Sequence, residues 1–156
     1  MLNRTKGDLL NLAKAGKFNI IVHGCNCFNT MGSGIARQIR EEYPQAYSAD
    51  CTTAPGDRNK LGTYSFSATE NFLIINAYTQ FGFNKKGEVA DVFEYTAFKL
   101  ILEKLTHFHG ANHFGFPYIG MGLAGGDSTR IIEMLEDFAI NITKKGGSVT
   151  LVEFQP

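Results

Sequence analysis

Apolar residues fall along this chain in two rhythms. Phe18–His23 (Phe-Asn-Ile-Ile-Val-His) is a short β-branched run bounded by Gly16-Lys17 and Gly24, the pattern of a strand covered on both faces. Gly62–Ser67 alternates apolar and polar side chains, and Phe72–Tyr78 is apolar with Asn76 set inside it. Between them Thr69-Glu70-Asn71 predicts a hairpin turn. His113–Ile119 and Ser148–Phe154 read as two further strands, and Leu2–Lys6 as another.

The second rhythm is helical. Val92, Phe93, Ala97, Phe98, Leu100, Ile101 and Leu105 recur mostly at three- and four-residue spacing, predicting one broad apolar face from Glu88 to Thr106. Ile131, Ile132, Met134, Leu135, Phe138 and Ala139 do the same after an Asp127-Ser128 helix start. Ser33–Glu42 predicts a shorter helix ending at Tyr43-Pro44, Gln45–Cys51 another, and Asp8–Ala15 a first helix ended by Gly16. Thr52–Leu61, with a turn at Pro55-Gly56-Asp57, carries no clear period. No repeat, low-complexity tract or linker divides the chain, so the expectation is one domain over residues 1–156. Strands alternating with helices imply a three-layer α/β/α fold, and the hairpin makes its sheet mixed. Ligands of such folds sit at the carboxyl ends of strands, which singles out the loops after Lys6, His23 and Ile119.

Composition narrows the chemistry. The 156 residues, 44% of them hydrophobic, suffice for one ordinary core. Lys plus Arg and Asp plus Glu balance at 15 each, which argues against bulk nucleic-acid binding but leaves room for a small anion held by oriented amides. Cys25, Cys27 and Cys51 are too few and too loosely spaced for a disulfide framework or a zinc site. The residues from Met1 to Asp8 lack the apolar run of a signal peptide, and no apolar stretch approaches the ~18 residues of a membrane helix. The expected setting is cytoplasmic, with no membrane partner.

Two loops carry the candidate chemistry. His23-Gly-Cys-Asn-Cys-Phe-Asn-Thr-Met-Gly-Ser-Gly-Ile-Ala-Arg places Gly32 and Gly34 just before a helix, where backbone amides and the helix dipole favour an anion. Asn26 and Asn29 offer side-chain amides for sugar hydroxyls. A glycine-rich turn with a capping Asn is the plain alternative. Tyr118-Ile-Gly-Met-Gly-Leu-Ala-Gly-Gly-Asp-Ser is the second such loop, with Gly120, Gly122, Gly125 and Gly126 between a strand and a helix. Gly32-Ser-Gly34-Ile-Ala36 does not fit a dinucleotide fingerprint, whose first glycine follows its strand directly. A lone histidine at a strand end is most often structural, yet His23 opens the first loop and could transfer a proton near neutral pH. His107, His109 and His113 have no acidic or thiol neighbour in sequence to complete a metal site.

These residues resemble the macro domain family over nearly the whole chain. Lys6-Gly7-Asp8-Leu9 is similar to the family's Gly-Asp-[Ile/Leu] start, which implies that Asp8 selects adenine, in addition to capping the first helix. Asn26 matches the position that holds the distal ribose. Met31-Gly32-Ser33-Gly34-Ile35 matches the glycine-rich phosphate contact, and Ile119-Gly120-Met121-Gly122-Leu123-Ala124-Gly125 the second phosphate-gripping loop. Within the family, His23-Gly-Cys-Asn-Cys27, Glu42-Tyr-Pro-Gln-Ala46 and Asn59-Lys-Leu-Gly62 resemble the yeast-type ADP-ribose 1″-phosphate phosphatases, where a histidine equivalent to His23 is implicated in catalysis. The second loop looks more like that of terminal ADP-ribose protein glycohydrolase relatives. Their lysine and aspartate correspond here to Ala77 and Ala124, so a covalent lysine adduct is disfavoured. Lys85 and Lys86 fall in an expected loop, away from the motif position.

The resemblance implies hydrolysis of ADP-ribose 1″-phosphate, with His23 as acid or base and Asp127 as a second catalytic candidate that could equally cap a helix. It leaves open a non-catalytic reader of ADP-ribose, or a glycohydrolase freeing ADP-ribose from a macromolecule through Asn26 or Asp127. No cofactor or metal is implied. Phe154 and Phe116 are candidate walls for the adenine, though core packing accounts for either.

Overall fold

The computed structural model describes residues 1–83 and 92–156. Six strands, β1 (Leu2–Gly7), β2 (Ile20–Cys25), β3 (Tyr64–Ala68), β4 (Leu73–Tyr78), β5 (His113–Phe116) and β6 (Ser148–Phe154), form one sheet in the order β1-β6-β5-β2-β4-β3. All neighbours are parallel except β3, which returns antiparallel along β4 at one edge. The hairpin turn between them is closed by Thr69, whose N–H and hydroxyl both donate to the Phe72 carbonyl, at 2.8 and 2.9 Å.

Strand alternation divides the core. Ile20 and Val22 of β2 face one layer and Ile21 the other. On the first face lie α4 (Tyr95–His109) and α5 (Ser128–Lys144), packed through Phe98, Ile101, Leu105, Leu135, Phe138 and Ile142. On the second lie α1 (Leu9–Lys14), α2 (Gly34–Glu42) and α3 (Pro44–Cys51), meeting the sheet through Leu10, Ala13, Ile39 and Ala46. This is the three-layer α/β/α arrangement with a mixed sheet that the alternation of patterns predicts.

Element boundaries differ from the sequence reading where backbone chemistry intervenes. β5 ends at Phe116 rather than Ile119, because Pro117 has no N–H to give a ladder. The helix expected over 88–106 begins at Tyr95 and runs to His109. Its expected start over 88–91, together with Lys85 and Lys86, lies outside the described residues. Phe93 is extended and bridges Gln80, and Leu100 is exposed rather than on the apolar face. The aperiodic stretch 52–61 contains a 3-10 turn, Arg58–Lys60, capped by Asp57 through the Asn59 N–H at 2.8 Å.

Gly115 sits in β5 where the Phe18 ring covers the sheet. A Cβ there would come within 2.5 Å of Phe18 Cδ2. Gly115→Ala should therefore lower the unfolding free energy by roughly 1–3 kcal/mol, the range for overpacking a filled core. Urea denaturation checks this; an unchanged midpoint would mean that Phe18 moves aside freely.

Candidate functional site

The carboxyl ends of β1, β5 and β6 converge on a cleft of about 410 Å³ lined by Gly7, Leu9, Gly34, Ile35, Gln38, Pro117, Val152 and Phe154. Its walls are mostly apolar side chains, and Phe154 presents an exposed ring at the rim. Phe116, the other candidate wall, is fully buried in the core. Gly7 takes φ +152°, and its carbonyl accepts from the Gln155 N–H at 2.8 Å, pinning the end of β6 beside β1.

Asp8 stands at the junction. One carboxylate oxygen caps α1 by accepting from the Asn11 N–H at 3.0 Å. The other accepts from Gln38 Nε2 at 3.2 Å, tying the start of α1 to α2. Gln38, Pro117 and Val152 have no place among the residues singled out from sequence, because only the packing of α2 and β6 brings them to this cleft.

The N-terminus of α2 opens on the same cleft. Ser33, its N-cap, makes no side-chain cap bond, so the first-turn amides of Gly34, Ile35 and Ala36 lack the partner a cap usually supplies. Gly34 adopts φ +57°, and a side chain at Gly32 or Gly34 would meet only open space. Donors at the positive end of a helix dipole, bare and accessible, suit an anion.

The rest of the first loop is held by its own polar groups. Asn26 accepts from the Phe28 N–H at 2.8 Å and donates to Thr30 Oγ1 at 2.7 Å, while remaining half-exposed. Asn29, at φ +58°, turns its amide inward: it donates to the Thr53 carbonyl at 2.8 Å and accepts from Lys60 Nζ at 2.6 Å. The side chain of Asn29 is thereby committed to the scaffold instead of a sugar. Met31 is fully buried among α1, α2 and the sheet, and anchors the loop to the core.

In the second loop Gly120 and Gly125 take φ +75° and +70°, and the Gly126 N–H donates to the Gly120 carbonyl at 2.7 Å. Ile119 and Ala124 are buried, Met121 is half-buried, and Gly122 and Leu123 are exposed. Asp127 caps α5 by accepting from the Arg130 N–H at 3.3 Å, and its own N–H donates to Tyr95 Oη at 2.9 Å. The capping role open for Asp127 in the sequence is realised. Ala77 is sealed in β4, with no amine in its place.

His23 lies on the α1–α3 face of the sheet, fully buried. Its Nε2 is 2.6 Å from Asn76 Oδ1, and Asn76 Nδ2 donates to the Ala46 carbonyl and to Ser65 Oγ at 2.9 and 3.0 Å. Because both Asn76 amide bonds are donated, Oδ1 is the acceptor and His23 Nε2 carries the proton. Cys25 Sγ lies against the ring, 3.8 Å from Nδ1 and 3.7 Å from Nε2. Burial drives the imidazole pKa down from its ordinary 6.5 to about 4, with the Asn76 bond opposing. In this arrangement the ring is neutral near pH 7 and does not open on the cleft. Among the described residues no group of three or more His, Cys, Asp or Glu gathers to hold a metal ion, and no helix is long and apolar enough to cross a membrane.

This sheet order, with an apolar cleft at the carboxyl ends of β1, β5 and β6 and the glycine-rich turn before α2 opening on it, is that of a macro domain fold. The chain has the macro domain fold and belongs to one family with a phage protein of similar length. It is 34% identical over 161 residues to a 17.5 kDa protein from the tk-vs intergenic region of Enterobacteria phage T4, covering 97% of this chain and 95% of that one. An ADP-ribose 1″-phosphate phosphatase of Saccharomyces cerevisiae is 33% identical over 114 residues, 68% of this chain and 60% of the yeast protein. Among solved structures, the macrodomain of Mycobacterium tuberculosis DarG aligns with TM-score 0.70 at 21% identity, covering 100% of this chain and 98% of that one. A Trypanosoma brucei macrodomain in complex with ADP-ribose aligns with TM-score 0.68 at 13% identity, covering 98% and 63%. At such identities the structural likeness is one of fold. No protein-family model matches the chain.

A histidine whose folded pKa lies below its unfolded value disfavours the folded state once protonated. The stability it secures is complete above pH 6.5 and is lost as pH falls toward about 4, a span worth roughly 3 kcal/mol. Asp50 shifts oppositely: burial raises its carboxyl pKa, so its contribution is lost as pH rises. Comparing wild type with His23→Gln isolates the histidine. The difference between their unfolding free energies should change by that amount between pH 7 and pH 4, and a pH-independent difference would exclude burial of a neutral ring.

Proposed function

We propose that this chain binds ADP-ribose along the cleft. The observation that carries the reading is the uncapped first turn of α2, with Gly34 at φ +57°, opening beside an apolar cleft lined by Gly7, Leu9 and Gln38, the last of which bonds the Asp8 carboxylate. An adenine lies among Leu9, Ile35, Val152 and Phe154, with its amino group donating toward Asp8. The diphosphate takes the amides of Gly32–Ile35 on one side and those of the Ile119–Gly125 loop on the other. Asn26, half-exposed, meets the distal ribose. The Trypanosoma brucei structure containing ADP-ribose supports the same ligand for a related fold.

A second reading, hydrolysis of ADP-ribose 1″-phosphate, is favoured by the phosphatase names of the yeast relatives. In this reading amides meet the developing phosphoryl charge. His23 contributes by holding Asn76 and the end of β2, and Asp127 is the carboxylate nearest the second loop that could orient water. An ADP-ribosylated macromolecule is the alternative carrier of the ligand, for a reader or a glycohydrolase. Three unpaired cysteines, two of them buried, fit a reducing cytoplasm.

Calorimetry tests the binding. Wild type should take up ADP-ribose, and Asp8→Ala should weaken it about tenfold or more, some 1.4 kcal/mol, with ribose 5-phosphate changed less than about twofold. Equal loss for both would reduce Asp8 to a helix cap. For the chemistry, phosphate release from ADP-ribose 1″-phosphate is compared among wild type, His23→Ala and Asp127→Asn. Binding without release in wild type discards the phosphatase and keeps the reader; release abolished in Asp127→Asn alone assigns the carboxylate.

A further inference from the structure

The first loop is organised from beneath by a charged side chain that the ligand-binding scheme does not use. Lys60 ends the 3-10 turn Arg58–Lys60 and is 6% exposed, an unusual position for a lysine. Its Nζ donates to Asn29 Oδ1 at 2.6 Å and to the Cys27 carbonyl at 3.2 Å, and lies 4.7 Å from the centre of the Tyr78 ring. An ammonium has three donors and no acceptor, so a buried one must be met by oxygens or an aromatic face. Here two of the partners belong to the loop that follows β2.

Those partners are fixed in turn. Asn29 holds a left-handed φ of +58°, a conformation available to asparagine at modest cost. Its amide donates to the Thr53 carbonyl at 2.8 Å, while Thr53 Oγ1 donates to the Asp50 carbonyl at 2.6 Å and lies 3.3 Å from Tyr78 Oη. Tyr78 Oη donates to Asp50 Oδ1 at 2.7 Å, and Ser65 Oγ, 2.8 Å from it, connects to Asn76. A continuous polar chain thus runs from β4 through the end of α3 to the turn at Asn29. Three residues beyond Asn29 begin the glycines that lead into α2. Loop backbone is thus held at Cys27 and Asn29, with Asn26 placed between the end of β2 and those anchors.

We propose that Lys60 is a positioning residue for ligand recognition: through Asn29 Oδ1 and the Cys27 carbonyl it pre-forms the Asn26–Met31 turn that meets the distal part of the ligand, without touching the ligand itself. This rests on the ADP-ribose reading above. Pre-formed turns spend less binding free energy on ordering, so losing the anchor weakens the ligand portion that the turn meets and spares the remainder.

Lys60→Met keeps the unbranched apolar stem while removing the ammonium and its donors, and Asn29→Gly keeps the positive φ while removing the amide. For each, calorimetry with ADP-ribose and with AMP is paired with amide hydrogen exchange. The expected result is a Kd for ADP-ribose raised about tenfold or more and a Kd for AMP changed less than about twofold. Exchange over residues 26–31 should be faster by about tenfold, with β6 and α5 unchanged. Equal weakening of both ligands would make Lys60 a general support of the scaffold and overturn the proposal, as would unaltered exchange in the loop or unaltered ADP-ribose affinity. If Lys60→Met does not fold, Asn29→Gly decides on the same readouts. Wild type that takes up no ADP-ribose sinks the function proposed above, and the exchange comparison still decides whether Lys60 organises the turn.

Discussion

β2 runs through the middle of a sheet covered on both faces, and the polar groups at its carboxyl end must be satisfied inside the protein. The bond from His23 to Asn76 spans two strands that pair residue for residue at this point. It lets β2 and β4 continue buried up to the place where their loops begin. Without an acceptor for the imidazole proton, and without Ala46 and Ser65 to take the two Asn76 protons, both side chains would be costly to enclose. The same network holds α3 against the sheet, since the Ala46 carbonyl belongs to that helix.

From this constraint the two ends of the site follow in different ways. On the β1 side the cleft is apolar, with shape supplied by Leu9, Ile35, Val152 and Phe154 and a polar side chain by Gln38, itself bonded to Asp8. On the β2 side side-chain polarity is directed inward, and the groups offered outward are mainly backbone amides. Backbone donors on glycine-rich turns cost little to leave near solvent and need no net charge to hold an anion. A chain of zero formal net charge can therefore build an anion site without a basic surface.

Much of the arrangement is legible in the order of residues. The period of apolar positions separates strands from helices, and the hairpin at Thr69–Asn71 makes the sheet mixed. Glycine placement marks both loops because positive φ at Gly34, Gly120 and Gly125 is a local property of the backbone. Asp8 and Asp127 are readable as caps for the same reason: each bonds an amide three residues on. Less legible were the ends of elements. Leu100 keeps helical spacing yet faces solvent, and Phe93 precedes its helix, since periodicity says which residues share a face but not which face is covered.

The sequence by itself determined the layers and the two loops, since these rest on local periodicity and on residues whose backbone preferences do not depend on distant partners. Only the tertiary structure decided the direction of each polar side chain. Asn26 and Asn29 lie three residues apart in one loop, and both are chemically able to bond a sugar. Lys60, arriving from a turn thirty-one positions further along, ties the Asn29 amide to the scaffold, whereas Asn26 bonds only within its own loop, to Phe28 and Thr30. His23 likewise reads as a loop-opening histidine until Asn76, fifty-three residues away, turns it into a buried donor. A side chain's role depends on who meets it, and contacts at that separation are set by packing of the whole sheet.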